Sequence, residues 1–104
     1  MNNNFEVILC IVNQGFSEAA MDAARKAGAR GGTVMNARGT ASKEAEKFYN
    51  ITIQPEKEII MILVAVDIKD KILKALYDAV GMDTAAQGIA FSLPVDNVVG
   101  IGNK

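Results

Sequence analysis

Two unbroken runs of apolar side chains, Val7-Ile8-Leu9-Cys10-Ile11-Val12 and Ile59 to Val66, set the strongest limit on what this chain can become. Neither alternates with polar residues, and both are rich in β-branched types, so each reads as a strand with apolar groups on both faces of a sheet. The chain has 104 residues. That suffices for a single domain, 1–104, and is too short to cover both faces of a sheet with its own helices. Eight apolar residues in succession left against water would form a patch larger than soluble monomers usually carry. A homo-oligomer that packs sheet against sheet is the economical solution. The longer run is far short of the roughly 20 residues needed to cross a bilayer. The start, Met1-Asn2-Asn3-Asn4-Phe5-Glu6, lacks the basic stretch of a secretory signal, so a cytoplasmic protein without direct membrane insertion is expected.

Between these runs the chain alternates strand and helix signals. Phe5 to Val12 ends at the turn cluster Asn13-Gln14-Gly15. A helix follows, with Ser17 as N-cap, Glu18 and Asp22 near its positive end, Arg25 and Lys26 near its negative end and Gly28 as terminator. Its inner stripe is Ala20, Met21, Ala23, Ala24 and Ala27, small enough for close approach to whatever it covers. Gly31-Gly32 opens a second strand, Thr33 to Arg38, which ends at Gly39. Thr40 to Asn50 is small, polar and charged and reads as an exposed loop, with at most a helical turn from Lys43 to Lys47. Ile51 to Ile53 is a brief strand signal broken at Gln54-Pro55. After the third strand, Asp67 is placed to cap a helix over Lys69 to Val80, with Ile72, Leu73, Leu76 and Ala79 or Val80 inward and Gly81 as terminator. Gly88 to Leu93, stopped by Pro94, is a fourth strand, and Val98 to Ile101 is a short extra C-terminal strand. The order is βαββαβ, an α+β ferredoxin-like sandwich.

The inventory for chemistry is sparse. There is no His, and the single cysteine, Cys10, sits in an apolar strand with neither a basic neighbour nor a helix N-terminus beside it, so no catalytic residue and no disulfide is expected. The acidic pairs Glu44/Glu46, Glu56/Glu58 and Asp67/Asp70 read as solvated faces or caps rather than metal ligands. A formal net charge of −1 gives no field that would draw nucleic acid. What remains is three glycine-rich corners, Gly28 to Thr33, Arg38-Gly39-Thr40 and Gly81 to Gly88. Taken singly each is a turn. Together they permit close backbone approach to an anion, with Arg38 as the charge.

These corners also carry a resemblance. Ala27-Gly28-Ala29-Arg30-Gly31-Gly32-Thr33-Val34, the Arg38-Gly39 step, and Gln87-Gly88-Ile89-Ala90-Phe91-Ser92-Leu93-Pro94 running on to Ile101 resemble, in order and spacing, the PII family of nitrogen-regulatory signal-transduction proteins. The resemblance implies a homotrimer of ferredoxin-like subunits with inward-facing sheets. It implies an adenine nucleotide or related anion as effector, bound in an inter-subunit cleft at Thr33, Val34, Arg38, Gly39, Thr40, Gln87, Gly88 and Ile89. It also implies a protein partner, a transporter or metabolic enzyme, engaged through loop 40–50, with Lys43, Glu44, Phe48 and Tyr49 as contact residues and Tyr49 similar to the family's modifiable tyrosine. Two departures matter. Ile89 stands where the family has a phosphate-binding lysine, and Gly100 and Gly102 replace an arginine pair. A ligand less charged than ATP, such as AMP or a cyclic nucleotide, is thereby easier to accommodate. Two other readings share the architecture, a CutA-like trimer without nucleotide signalling and an enzyme on a ferredoxin-like fold.

Overall fold

The structure, a computed structural model, describes residues 4–40, 47 and 55–101. Six elements follow one another as β1 (Phe5–Asn13), α1 (Ser17–Lys26), β2 (Thr33–Arg38), β3 (Glu56–Ala65), α2 (Val66–Val80) and β4 (Ile89–Pro94). They build a four-stranded sheet in the order β2-β3-β1-β4, with every neighbouring pair antiparallel. This is the ferredoxin-like arrangement expected from the βαββαβ order.

The two apolar runs pair with each other along their full length, from Phe5↔Ala65 to Asn13↔Lys57. Because side chains alternate across a strand, that register aligns Ile8, Cys10 and Val12 with Ile60, Ile62 and Val64 on one face. These six are at most 2% exposed. Ala20, Met21 and Ala24 of α1 and Ile72, Leu76 and Val80 of α2 close over them. Ala23, expected on the inner stripe of α1, is only half-buried, and of Ala79 and Val80 it is Val80 that faces inward.

The opposite face carries Val7, Leu9, Ile11, Ile59, Met61, Leu63, Ile89, Phe91 and Leu93 in three adjacent rows. Within one subunit no described segment layers over it, and Leu63, Ile89, Phe91 and Leu93 remain 38–50% exposed. Apolar groups on both faces of the central strands are thus real, while burial of the second face is not achieved by the chain alone.

Several local expectations are corrected. Ser17 is not the N-cap of α1. Phe16 takes that position and no side chain on the helix itself caps the end. Instead Glu58, which the β1–β3 register sets opposite Val12, extends its carboxylate so that Oε1 accepts from the backbone N–H of Gly15 at 3.0 Å and of Ser17 at 3.2 Å. A negative group from a neighbouring strand satisfies the unpaired donors and faces the positive end of the dipole. At the other end Gly28, with φ +117°, turns the chain so that Ala29 N–H reaches Ala24 O at 2.9 Å, closing the helix as expected.

β3 starts at Glu56 rather than Ile59, because Glu56 to Glu58 pair with Arg38 to Asn36 of β2 despite their charges. α2 starts three residues before Lys69, at Val66, with Ala65 as its cap. Strand passes directly into helix there as Val66 N–H is taken by Asn4 O at 2.8 Å, so Asp67 lies in the first turn rather than capping it. The extra strand expected at Val98 to Ile101 does not form within the subunit. Gly100 has φ +103°, which breaks the extended path, and Val99 is 97% exposed with no strand beside it.

Replacing Glu58 with Ala is expected to destabilise the fold by about 1–2 kcal/mol, the usual cost of losing a helix cap, read as a lower urea midpoint at fixed protein concentration.

Cys10 supplies a second check. Burial pushes its thiol from 9.0 up to about 11, so the folded chain keeps a proton that the unfolded chain releases in that interval. Its contribution to stability is therefore intact below about pH 9 and is lost as the pH rises towards 11. A Cys10→Ala variant should show a shallower loss of stability across that window in pH-resolved thermal melts.

Candidate functional site

The polar end of the sheet forms around Asn13, a polar side chain only 3% exposed. Its backbone N–H donates to Ala86 O at 2.9 Å. Its Nδ2 donates to Ala85 O at 3.1 Å and to Gln87 Oε1 at 3.3 Å, and its Oδ1 accepts from Lys57 Nζ at 2.6 Å. Both ends of the amide are satisfied, as a buried polar group requires. Asn13 thereby ties β1 to β3 and to the loop that leads into β4.

That loop, residues 81 to 88, is pinched shut. Gly81 and Gly88 form a bridge, Thr84 Oγ1 donates to Gly81 O at 2.7 Å, and Gly88 N–H donates to Val80 O at 2.7 Å. Gly88 cannot be replaced without movement, because a Cβ there would stand 2.3 Å from Val80 O. Gln87 has φ +47°, a conformation that a residue with a side chain adopts only when its surroundings enforce it. Its hydrogen bond from Asn13 is such an enforcement.

β2 delivers Arg38, Gly39 and Thr40 to the same end. Gly39 N–H donates to Pro55 O at 2.7 Å, and the Lys57 side chain lies against Gly39 so closely that a Cβ would come 2.9 Å from Lys57 Cε. Lys57 therefore bridges the two predicted corners, with its stem on Gly39 and its ammonium on Asn13, which in turn holds Gln87. Arg38 is exposed and makes no hydrogen bond or ion pair with a described residue. Lys57 keeps donors to spare beside backbone that glycine leaves open, a place suited to an anionic oxygen, while Arg38, in register with Glu56, lies at the same end of the sheet on the other face of β2.

Of the residues singled out in the sequence, Arg38, Gly39, Thr40, Gln87, Gly88 and Ile89 are brought to this end of the sheet. Thr33 and Val34 are not. They lie four to five residues back along β2, opposite Met61 and Ile60, which at about 3.4 Å per residue is roughly 15 Å away. There Thr33 lines a shallow depression with Gly31, Gly32, Val7, Met61 and Leu63 on the uncovered face. Lys43, Glu44, Phe48 and Tyr49 lie outside the described residues, as does the helical turn considered for Lys43 to Lys47, apart from Lys47 itself. Lys57 and Asn13 were absent from the expectations. Only the strand register, which sets Lys57 opposite Asn13 on one side and Ala37 on the other, reveals that they share a site.

The profile of the family described as nitrogen regulatory protein P-II matches residues 5–104. The chain belongs to that family. Its members are regulatory proteins, so this chain is a P-II regulatory protein by descent. No individual curated protein matches it.

Solved structures place the same fold beside it. A PII protein of Arabidopsis thaliana bound to citrate is 22% identical, with a TM-score of 0.71 over 96% of this chain and 82% of that one. GlnK of B. subtilis in complex with ATP is 16% identical, with a TM-score of 0.73 over 96% and 91%. CPII of Thiomonas intermedia K12, a PII-like protein bound to ADP, AMP and bicarbonate, is 17% identical, with a TM-score of 0.68 over 93% and 96%. No helix among the described residues of the P-II chain is long and apolar enough to cross a membrane.

Proposed function

We propose that this P-II protein is a homotrimeric sensor of an adenine nucleotide or a related anion, and that it reports occupancy to a protein partner through loop 40–50. The observation that carries the reading is the division of the site. Within one subunit the cationic end of the sheet at Arg38, Gly39, Thr40, Gln87 and Gly88 and the depression at Thr33 lie too far apart to serve one phosphate group, and Val34 faces the helix side opposite Ile60. A ligand with a flat apolar end and a charged end, seated between subunits, would use one half from each. The uncovered apolar face supports the same assembly, because three sheets facing inward remove it from water.

The nucleotide complexes of the B. subtilis and Thiomonas proteins support the ligand class. The charge count shapes the preference within it. Ile89 offers no cation, so Arg38 and Lys57 carry the anion between them, and a monophosphate or cyclic nucleotide is matched better than a triphosphate. The partner would be a transporter or metabolic enzyme held by Lys43, Glu44, Phe48 and Tyr49, an aromatic pair beside charges of the kind that interfaces favour. Tyr49 is also the side chain at which a covalent modification would alter that contact. No catalysis is assigned to the chain.

Calorimetry with AMP, ADP and ATP tests the site. Arg38→Ala should weaken nucleotide binding by about 1.5–3 kcal/mol, the range of a hydrogen bond to a charged group, with Lys57→Ala lowering it further for the more highly charged nucleotides. Absence of binding to the wild type, or equal binding to the Arg38 variant, counts against the assignment. The assembly is checked separately by sedimentation at micromolar concentration, where a trimer is expected and a folded monomer of 11.1 kDa overturns it.

A further inference from the structure

On the helix side of the sheet a cavity of about 310 Å³ opens between α2 and the edge strand β4, and it reaches the polar end at Gly81, Gly88 and Ile89. Leu76, Tyr77 and Val80 of α2 form one wall, Ala90 of β4 the other, Met82 of the 81–88 loop the end, and the Cys10 thiol the floor. None of the residues lining it is charged. Leu76, Val80 and Cys10 are each 1% exposed, whereas Tyr77 and Met82 at the mouth are 64% and 50% exposed. The inner wall is therefore buried and apolar while the rim is open to solvent.

We infer that this cavity is a binding site for a small uncharged apolar molecule, an aromatic ring system or a short branched hydrocarbon. An apolar cavity of about 150 Å³ already stays dry and admits a benzene ring, and ligand pockets begin at roughly 300 Å³. The lining selects the class. An anion would lose its hydration with no donor but a thiol and one phenol to replace it. A neutral ring is taken out of water at no such cost, with the thiol sulfur of Cys10 and the thioether of Met82 as polarisable contacts. The phenol of Tyr77 offers a single polar handle at the mouth.

Two other occupants fit less well. The apolar face that calls for a second copy lies on the opposite side of the sheet, at Val7, Leu9 and Phe91, and meets the cavity only at Ile89. The apolar C-terminal segment of the same chain is engaged elsewhere, with Ile101 lining a separate cavity beside Phe5 and Ile68. The cavity shares Gly88 and Ile89 with the proposed nucleotide site, and a probe without a phosphate separates the two, since its binding does not depend on Arg38.

Indole and its anionic analogue indole-3-carboxylate are suitable probes, titrated into the full chain by calorimetry and by amide chemical shifts. Saturable indole binding is expected, with shifts centred on Leu76, Tyr77, Met82 and Ala90 and with the carboxylate at least about ten-fold weaker. Ala90→Leu, which fills the cavity, should abolish binding. Met82→Ala, at an exposed position where the fold tolerates change, should weaken it several-fold even if the Ala90 variant proves unstable in a thermal melt. The inference is overturned if indole does not saturate, if a folded Ala90→Leu protein binds it unchanged, or if the shifts fall on Val7, Leu9 and Phe91. An empty result because a second copy's side chain already fills the cavity overturns it equally.

Discussion

Everything in this subunit depends on one strand register. Because β1 and β3 pair from Phe5↔Ala65 to Asn13↔Lys57, three consequences follow from a single alignment. Ile8, Cys10 and Val12 share a face with Ile60, Ile62 and Val64 and give the helices a surface to close. Glu58 falls opposite Val12 and reaches the first turn of α1. Lys57 falls opposite Asn13 and draws it into the polar corner. A shift of one residue would turn each of these side chains to the other face. The apolar runs alone would barely resist such a shift, since both faces are greasy, so the polar pairs at the end of the ladder set the register that the hydrophobic residues leave open.

Local spacing marks some elements of this fold in the sequence, and contacts distant in sequence decide the others. The order βαββαβ, the Ala-rich inner stripe of α1 and the glycine that ends it were legible because they rest on local spacing and on backbone preference. The start of β3 was not, because Glu56-Lys57-Glu58 reads as a solvated run. Those charges belong to the strand only because each meets a partner distant in sequence, Lys57 on Asn13 and Glu58 on the amides of α1. Ser17 was a reasonable cap by residue type and was displaced by a carboxylate arriving from 41 residues away. Tertiary electrostatics overrode local propensity at both places. For the site, glycine corners marked the backbone openings, and the cation that joins them stayed hidden until the sheet was assembled.

The uncovered face and the split site express one economy. A domain of this length can cover one side of a four-stranded sheet, which leaves the second side to serve as an interface, and under the proposed function a ligand seated there would be sensed by the assembly rather than by a subunit. Effector binding between copies, as proposed, would link occupancy to the relative positions of the subunits, which a signalling protein needs and which a pocket inside one rigid subunit would not supply.

Ile89 shows how that economy shapes the chemistry. In register it stands opposite Ile11 at the end of the uncovered face, where it is half exposed. A lysine at that place would put an ammonium at the margin of an apolar interface, tolerable only if a phosphate always met it. Isoleucine instead extends the apolar face to its last row, and the positive charge at this end is supplied from the opposite side of the corner by Arg38 and Lys57. Of these, Lys57 is already anchored on Asn13 Oδ1, so part of its donor capacity is committed to holding the 81–88 loop in place. Under the proposed function an anion arriving at this end would compete with Asn13 for the same ammonium. That competition would join the charge of the ligand to the conformation of the loop, and discrimination between phosphate groups would rest on Lys57 as much as on Arg38.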